Sequence, residues 1–224
     1  DVPHTFLCRA RVGGVTSAQD ERAALVDTFR AKGPDAPTLC EGWTTRDLLA
    51  HLVVRERRLD TGPGILIKQF APHTEKVRSV AAAKDWDVLL DELAGGPPVY
   101  SPFKLVDRWA NLGEMFVHHE DVLRGGADPD GPWVPRQLSD QLSSDLRTPA
   151  RSIGKMALKN VPATVTLRTD SGEDLVTVGH GDPVTIIGPV GELTLFAFGR
   201  APVDLEFSGD DAAVAAVKAS KRGF

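Results

Sequence analysis

Asn111-Leu112-Gly113-Glu114-Met115-Phe116-Val117-His118-His119-Glu120-Asp121-Val122-Leu123-Arg124 reads as the end of a long helix that begins near Lys104. Leu105, Trp109, Leu112, Met115, Phe116 and Val122 supply its buried side, and Gly125-Gly126 stops it. Glu114 and His118 are four residues apart, so they leave one helix face one turn from each other. That spacing lets a carboxylate oxygen and an imidazole nitrogen meet one metal ion, and it equally describes a surface pair. His51 stands on another predicted helix, within the apolar stripe Leu48, Leu49, Leu52 and Val53. A histidine there is either a satisfied core residue or a third ligand. A long helix carrying Glu-x-x-x-His, facing an inward histidine, is how a bundle builds a metal site in its core. Two histidines and one carboxylate suit Zn²⁺ with one open position, or Ni²⁺, Fe²⁺ or Co²⁺ with more.

The pattern on either side of this stretch divides the chain. Ala23, Leu25, Val26 and Phe29 recur at helical spacing up to Gly33-Pro34. Thr44 is placed as an N-cap, with Asp47 in capping-box position, ahead of the helix that carries His51. Further helices are expected over Trp86 to Ala94 and Gln137 to Ile153. Beyond Lys159 the signals change to short strands at Thr164 to Leu167, Leu175 to Val178, Val184 to Ile187 and Val203 to Phe207. Helices over Glu192 to Phe198 and Asp211 to Ala219 complete this part. His180, in Gly179-His180-Gly181-Asp182, is expected in a hairpin between strands. The predicted organisation is therefore a helical bundle over residues 1–155 and a smaller α+β domain over 160–224.

Composition excludes several classes of function. The chain has 224 residues, 26 Lys plus Arg against 31 Asp plus Glu, and a formal charge of -5. No basic block is longer than Arg55 to Arg58, which argues against nucleic-acid partners and an anionic membrane surface. No apolar run approaches the roughly 20 residues of a membrane span, and the first residues show no apolar stretch typical of a signal peptide. Two cysteines, Cys8 and Cys40, make no disulfide framework, so a cytoplasmic location is expected. A monomer or a homodimer is expected. Gly188-Pro189-Val190-Gly191 lacks the pattern of a phosphate loop, so no nucleotide is expected.

Three motifs carry a family resemblance. Thr38-Leu-Cys-Glu-Gly-Trp-Thr-Thr-Arg-Asp-Leu-Leu-Ala-His51 resembles the first motif of the mycothiol-dependent maleylpyruvate isomerase family, a branch of the DinB-like four-helix proteins. The stretch from Asn111 to Arg124 resembles its second motif, and Gly191 to Arg200 resembles a segment of its C-terminal domain, which is similar to sterol carrier proteins. Val-Arg-Glu-Arg-Arg and His-His-Glu-Asp are similar to an actinobacterial, metal-binding subfamily. The resemblance implies an N-terminal DinB-like four-helix bundle and a smaller sterol-carrier-like α+β domain. It also implies a metal held by His51, Glu114 and His118, the trio that the spacing proposes.

A divalent ion in such a site lowers the pKa of bound water and deprotonates a coordinated thiol. The family implies that the thiol is mycothiol. The function implied is a metal- and mycothiol-dependent S-transferase or isomerase acting on an electrophilic small molecule. A metal-dependent hydrolase and a non-catalytic metal- or small-molecule-binding protein are the alternatives. The resemblance implies that Arg200 faces the metal from the second domain and binds an anionic group of the cosubstrate or substrate; otherwise it is a surface arginine. His119, about 100° round the helix from His118, is either a packing residue or a substrate-side acid or base. Asp121 can accept a hydrogen bond from a metal-binding imidazole, and Asp47 is assigned to the cap. Cys40 is read as a buried structural cysteine, and Trp43 and Trp109 as core residues.

Overall fold

The computed structural model describes residues 16–58, 60, 71–98, 101 and 110–222. The segment with Cys8 and the stretch expected to begin the long helix, with Leu105 and Trp109, lie outside the described residues. α1 (Ser17–Lys32) is entered through Thr16, which exchanges hydrogen bonds with Gln19 in a capping box. α2 (Thr45–Arg57) follows Thr44, and the Asp47 carboxylate accepts from the Thr44 N–H at 3.0 Å and its hydroxyl at 2.9 Å. α3 (Ala71–Ala82), α4 (Trp86–Ala94), α5 (Ala110–Leu123) and α6 (Asp140–Ala157) complete the helical part. α3 was not expected, because its sequence has no clear apolar stripe. Tertiary contacts hold it instead: Val77 and Ala81 pack on Ala50 and Val54 of α2, and Arg78 pairs with Asp47.

Four helices share one core, in which Leu25, Val26 and Phe29 of α1 meet Leu48, Leu49, Leu52 and Val53 of α2. Leu89, Leu90 and Leu93 of α4 and Met115 and Val122 of α5 close it. Full burial of each large apolar side chain contributes on the order of 1.5–3 kcal/mol, so the packed stripe rather than intrinsic propensity sets these helices in place.

The C-terminal part contains β1 (Thr164–Thr169), β2 (Asp174–Gly179), β3 (Pro183–Gly188), α7 (Val190–Ala197), β4 (Glu206–Gly209) and α8 (Asp211–Ala219). The sheet order is β2-β1-β3-β4, with β1 antiparallel to β2 and parallel to β3, and β3 antiparallel to β4. Hence the turn with His180 is not a hairpin between paired strands. It carries the chain past the end of β1, which lies between β2 and β3. Gly179 makes that crossing possible: at φ +95° a Cβ would stand 2.2 Å from the Ala163 carbonyl oxygen. β4 begins at Glu206 rather than Val203, because Pro202 and Asp204 are tied to buried Arg124, just beyond α5, and to Glu192 of α7.

The second core cluster joins the two parts of the chain. It holds Val165, Leu167, Val184 and Ile186 of the sheet and Leu193 and Phe196 of α7. It also takes in Leu146 and Ala150 of α6 and Leu112, Phe116 and Val117 of α5. α5 thus sends one side into each core, and the site described next lies along it. Among the described residues no helix is long and apolar enough to cross a membrane.

Candidate metal centre

Three segments meet along α5. α2 brings His51 and Arg55, one turn apart. The loop before α2 brings Cys40 and Trp43, and the end of α7 brings Arg200. That loop is fastened locally, with the Thr38 hydroxyl donating to the Trp43 carbonyl at 2.9 Å and accepting from the Cys40 N–H at 3.1 Å. It is also fastened to α5, where the Leu39 N–H donates to the Asp121 carbonyl at 3.0 Å. That carbonyl lies in the last turn of α5 and has no partner within the helix, so the loop serves as its cap.

The three residues expected to bind metal lie together. His118 Nε2 is 3.2 Å from Glu114 Oε2, and the His118 and His51 rings stand nearly perpendicular with centres 5.5 Å apart. Metal bonds of about 2.0–2.1 Å at a tetrahedral ion set ligand atoms about 3.3 Å apart and two imidazole centres about 5 Å apart. Glu114 and His118 stand at that spacing and the His51 ring is close to it, although the donor atoms of the three do not all lie within 4.8 Å of one another. The protonation of His51 and Glu114 also suits ligation, whereas His118 must give up a proton to an incoming ion. Burial, reinforced by the charge on His118, pushes the His51 imidazole down to about 3 and leaves its lone pair free for a cation. Burial raises Glu114, but His118 and Arg55 outweigh that effect and hold the carboxyl at about 2. Burial likewise opposes charge on His118, while hydrogen bonds to Asp121, Cys40 and Glu114 lift it well above the ordinary range.

Asp121, fully buried, organises the other side of His118. His118 Nδ1–H donates to its Oδ2 at 2.9 Å, which directs Nε2 towards Glu114. Cys40 Sγ donates to the same oxygen at 3.2 Å, and Arg200 forks onto the carboxylate at 2.8 and 2.9 Å. Cys40, His118 and Asp121 do place donor atoms within 4.8 Å of one another, a second set that shares His118 with the first. Because the carboxylate in that set is already shared by three donors, it is better built to support His118 than to bind an ion.

A cavity of about 530 Å³ opens over the trio, lined by His51, Glu114, His118, Arg55, Cys40 and Arg200 among others. Arg55 is steered by Asn111, whose side-chain oxygen accepts from Nη1 at 2.7 Å, and its Nε lies 3.8 Å from Glu114. Two guanidinium groups thus face the cavity, one from α2 and one from the end of α7.

Several sequence readings change at this point. Arg200 lies at the cavity and not on an open surface, with a side chain 20% exposed. His119 does not reach the cavity: Nδ1 is 2.8 Å from Glu21 and Nε2 is 2.8 Å from the Thr28 hydroxyl, both on α1. Its helix-packing reading describes this geometry, and the acid–base role has no contact to carry it. Cys40 is half-buried: it packs against the helical core and also forms part of the cavity wall. Trp43 packs against the helical core yet also lines the cavity, 5.2 Å from the His51 ring. Arg55 was overlooked, although its position four residues after His51 places it on the same helix face.

Comparison with known proteins bears on the fold. The profile of the mycothiol maleylpyruvate isomerase N-terminal domain matches residues 15–94. No curated protein matches the chain. Two solved structures are similar, both of a mycothiol-dependent maleylpyruvate isomerase, one of them a histidine-to-alanine mutant. Their TM-scores are 0.56 and 0.59, each at 15% identity, covering 86% of this chain and 90% of theirs. At that identity the likeness is one of fold. Residues 15–94 are therefore similar to the mycothiol maleylpyruvate isomerase N-terminal domain, within a chain that shares the fold of the two solved structures over most of its length.

Proposed function

We propose that this protein binds a divalent metal ion through His51, Glu114 and His118 and uses mycothiol in an S-transfer or isomerisation of a small electrophile. The observation that carries this reading is the convergence of that trio on a cavity flanked by Arg55 and Arg200. Zn²⁺ suits the donors best, with Ni²⁺, Fe²⁺ or Co²⁺ as substitutes. The bound ion would supply Lewis acidity, lowering the pKa of a thiol presented to it.

The remaining chemistry belongs to the chain. Asp121 holds His118 in one tautomer. Arg200 and Arg55, each held by protein partners, place positive charge at the cavity for carboxylates of the thiol or the electrophile. The cavity volume lies within the range of small-molecule sites. In this reading the helical part is a DinB-like bundle, and the sheet with α7 and α8 is a sterol-carrier-like domain that contributes Arg200. The actinobacterial cytoplasm is the matching location.

The test is metal analysis of the purified protein, followed by thermal unfolding with and without mycothiol. Ligand at a hundred times its Kd stabilises by about 2.7 kcal/mol, which shifts the Tm of a chain this size by roughly 5–10 °C. That shift should vanish in His118→Ala. Retained metal with no response to the thiol would overturn the thiol reading and favour hydrolysis or simple binding. Failure to take up Zn²⁺ would remove the metal site itself.

A further inference from the structure

Arg124 is among the largest fully buried side chains of the protein, and it makes no contact with the cavity. It stands on the far side of the Arg200 loop, one turn beyond Asp121. Its Nε donates to Glu120 at 2.8 Å, Nη2 donates to Glu192 Oε1 at 2.6 Å, and Nη1 donates to Glu192 Oε2 at 3.1 Å. Nη1 also donates to the Pro202 carbonyl at 2.6 Å. Glu192, on α7, in turn accepts from the Asp204 N–H at 2.9 Å. The loop that leaves α7 is therefore held at Pro202 and Asp204 by one buried ion pair. Two residues before Pro202, the same loop carries Arg200, whose fork meets Asp121. The loop is strung between two posts, Asp121 in the last turn of α5 and Arg124 just beyond its end.

We propose that Arg124, with Glu192, is a positioning residue that fixes where Arg200 stands over the cavity. A bidentate guanidinium can grip Glu192 and the Pro202 carbonyl at once, whereas a lysine ammonium offers no planar fork for both. The clamp keeps Arg200 in place before any ligand arrives, so its cation is not delivered by closure of a lid. The part of this inference that concerns ligand affinity rests on the proposed thiol site; the part that concerns Arg200 does not.

Cys40 provides a native reporter, because Arg200 Nη2 lies 3.8 Å from its sulfur. The experiment compares the alkylation rate of Cys40 by N-ethylmaleimide, read by peptide mapping, in the zinc-loaded wild type, Glu192→Gln, Arg124→Lys, Arg200→Ala and Glu192→Gln/Arg200→Ala. Losing a charged hydrogen bond in the clamp should change the rate about tenfold in Glu192→Gln and Arg124→Lys, in the direction in which Arg200→Ala changes it. Arg200→Ala should change it alone, and adding Glu192→Gln should change it no further. Glu192→Gln, nearly isosteric, carries the test if Arg124→Lys does not fold. Mycothiol affinity should fall about tenfold in Glu192→Gln at unchanged zinc content. An unchanged Cys40 rate, rates that multiply in the double variant, or loss of zinc would each overturn the proposal. If the wild type itself fails to bind mycothiol, the proposed function fails, while the Cys40 rates still decide whether the clamp positions Arg200.

Discussion

Replacing Asp121 by Asn changes one atom, and its effect can be followed bond by bond. The carboxylate accepts from three directions: the Arg200 fork, His118 Nδ1 and the Cys40 thiol. An asparagine has one accepting oxygen and one donating amide. The Arg200 guanidinium only donates, so the oxygen must turn towards it, and the amide then faces His118 Nδ1. Nδ1 is forced to accept, which moves the ring proton to Nε2, the nitrogen that faces Glu114. A protonated Nε2 cannot ligate. Loss of such a supporting partner costs roughly 10–100-fold in metal affinity, and the tautomer shift places Asp121→Asn at the upper end. The fold also loses a buried charge pair. Removing one partner of such a pair costs about 3–5 kcal/mol when the other is fully buried. The Arg200 side chain is 20% exposed, so it recovers some hydration and about 2–3 kcal/mol is expected. Metal affinity is measured by competition with a chromophoric chelator, and stability by urea unfolding of the metal-free protein. Asp121→Ala, which imposes no tautomer, should bind metal more tightly than Asp121→Asn. Wild-type zinc affinity in Asp121→Asn would refute the reasoning.

Three further outcomes are expected. Gly125→Ala would put a Cβ 1.9 Å from the Pro37 carbonyl oxygen, about 1.5 Å inside ordinary contact, with backbone on both sides. The loop carrying Cys40 and Trp43 must then move, so urea unfolding should show a loss of at least about 1–3 kcal/mol together with weaker zinc binding; wild-type behaviour would contradict the close approach. In metal-free protein, His51 stays neutral in the folded state down to about 3, while the unfolded chain takes up its proton below its ordinary value of 6.5. By itself this lowers stability as pH drops from 6.5, by up to about 1.4 kcal/mol per unit. His118, held protonated when folded, takes up its proton in the unfolded chain around 6.5 and offsets His51 there, so the fall emerges below about 5.5. Below about 4.5 it should steepen as Glu114 and Asp121, both held low when folded, protonate first in the unfolded chain. His51→Gln should flatten the upper part of the profile; an unchanged slope would exclude His51 as its source. His119→Gln should cost about 1–3 kcal/mol by disturbing the buried partners Glu21 and Thr28, yet leave zinc affinity unchanged, as equilibrium unfolding and zinc competition would show.

Much of this was legible in the residues alone. The spacing of Glu114 and His118, the stripe around His51 and the capping signals at Thr44 and Asp47 are local, and local periodicity sets helix faces whatever the rest of the chain does. Strand runs bounded by glycine and polar turns read equally well. α3 escaped because its few apolar contacts are made with α2 and show no pattern of their own. The turn at His180 was misjudged because pairing partners are a property of the sheet, and a parallel β1–β3 pair places them on either side of β1.

The helices, the short strands and the two faces of α5 follow from apolar periodicity, so the chain order was enough to specify them. Which charged groups meet was decided only by the tertiary structure. Cys40 reached the cavity wall because Leu39 caps the last turn of α5, and Arg55 because α2 turns its His51 face to Glu114. His119 turned away from its neighbour His118 because adjacent helical residues diverge by about 100°, and α1 waited on that side with Glu21 and Thr28. Hydrogen bonds and ion pairs act over a few ångströms between residues as far apart as Cys40 and Arg200, and no spacing in the chain records such distances.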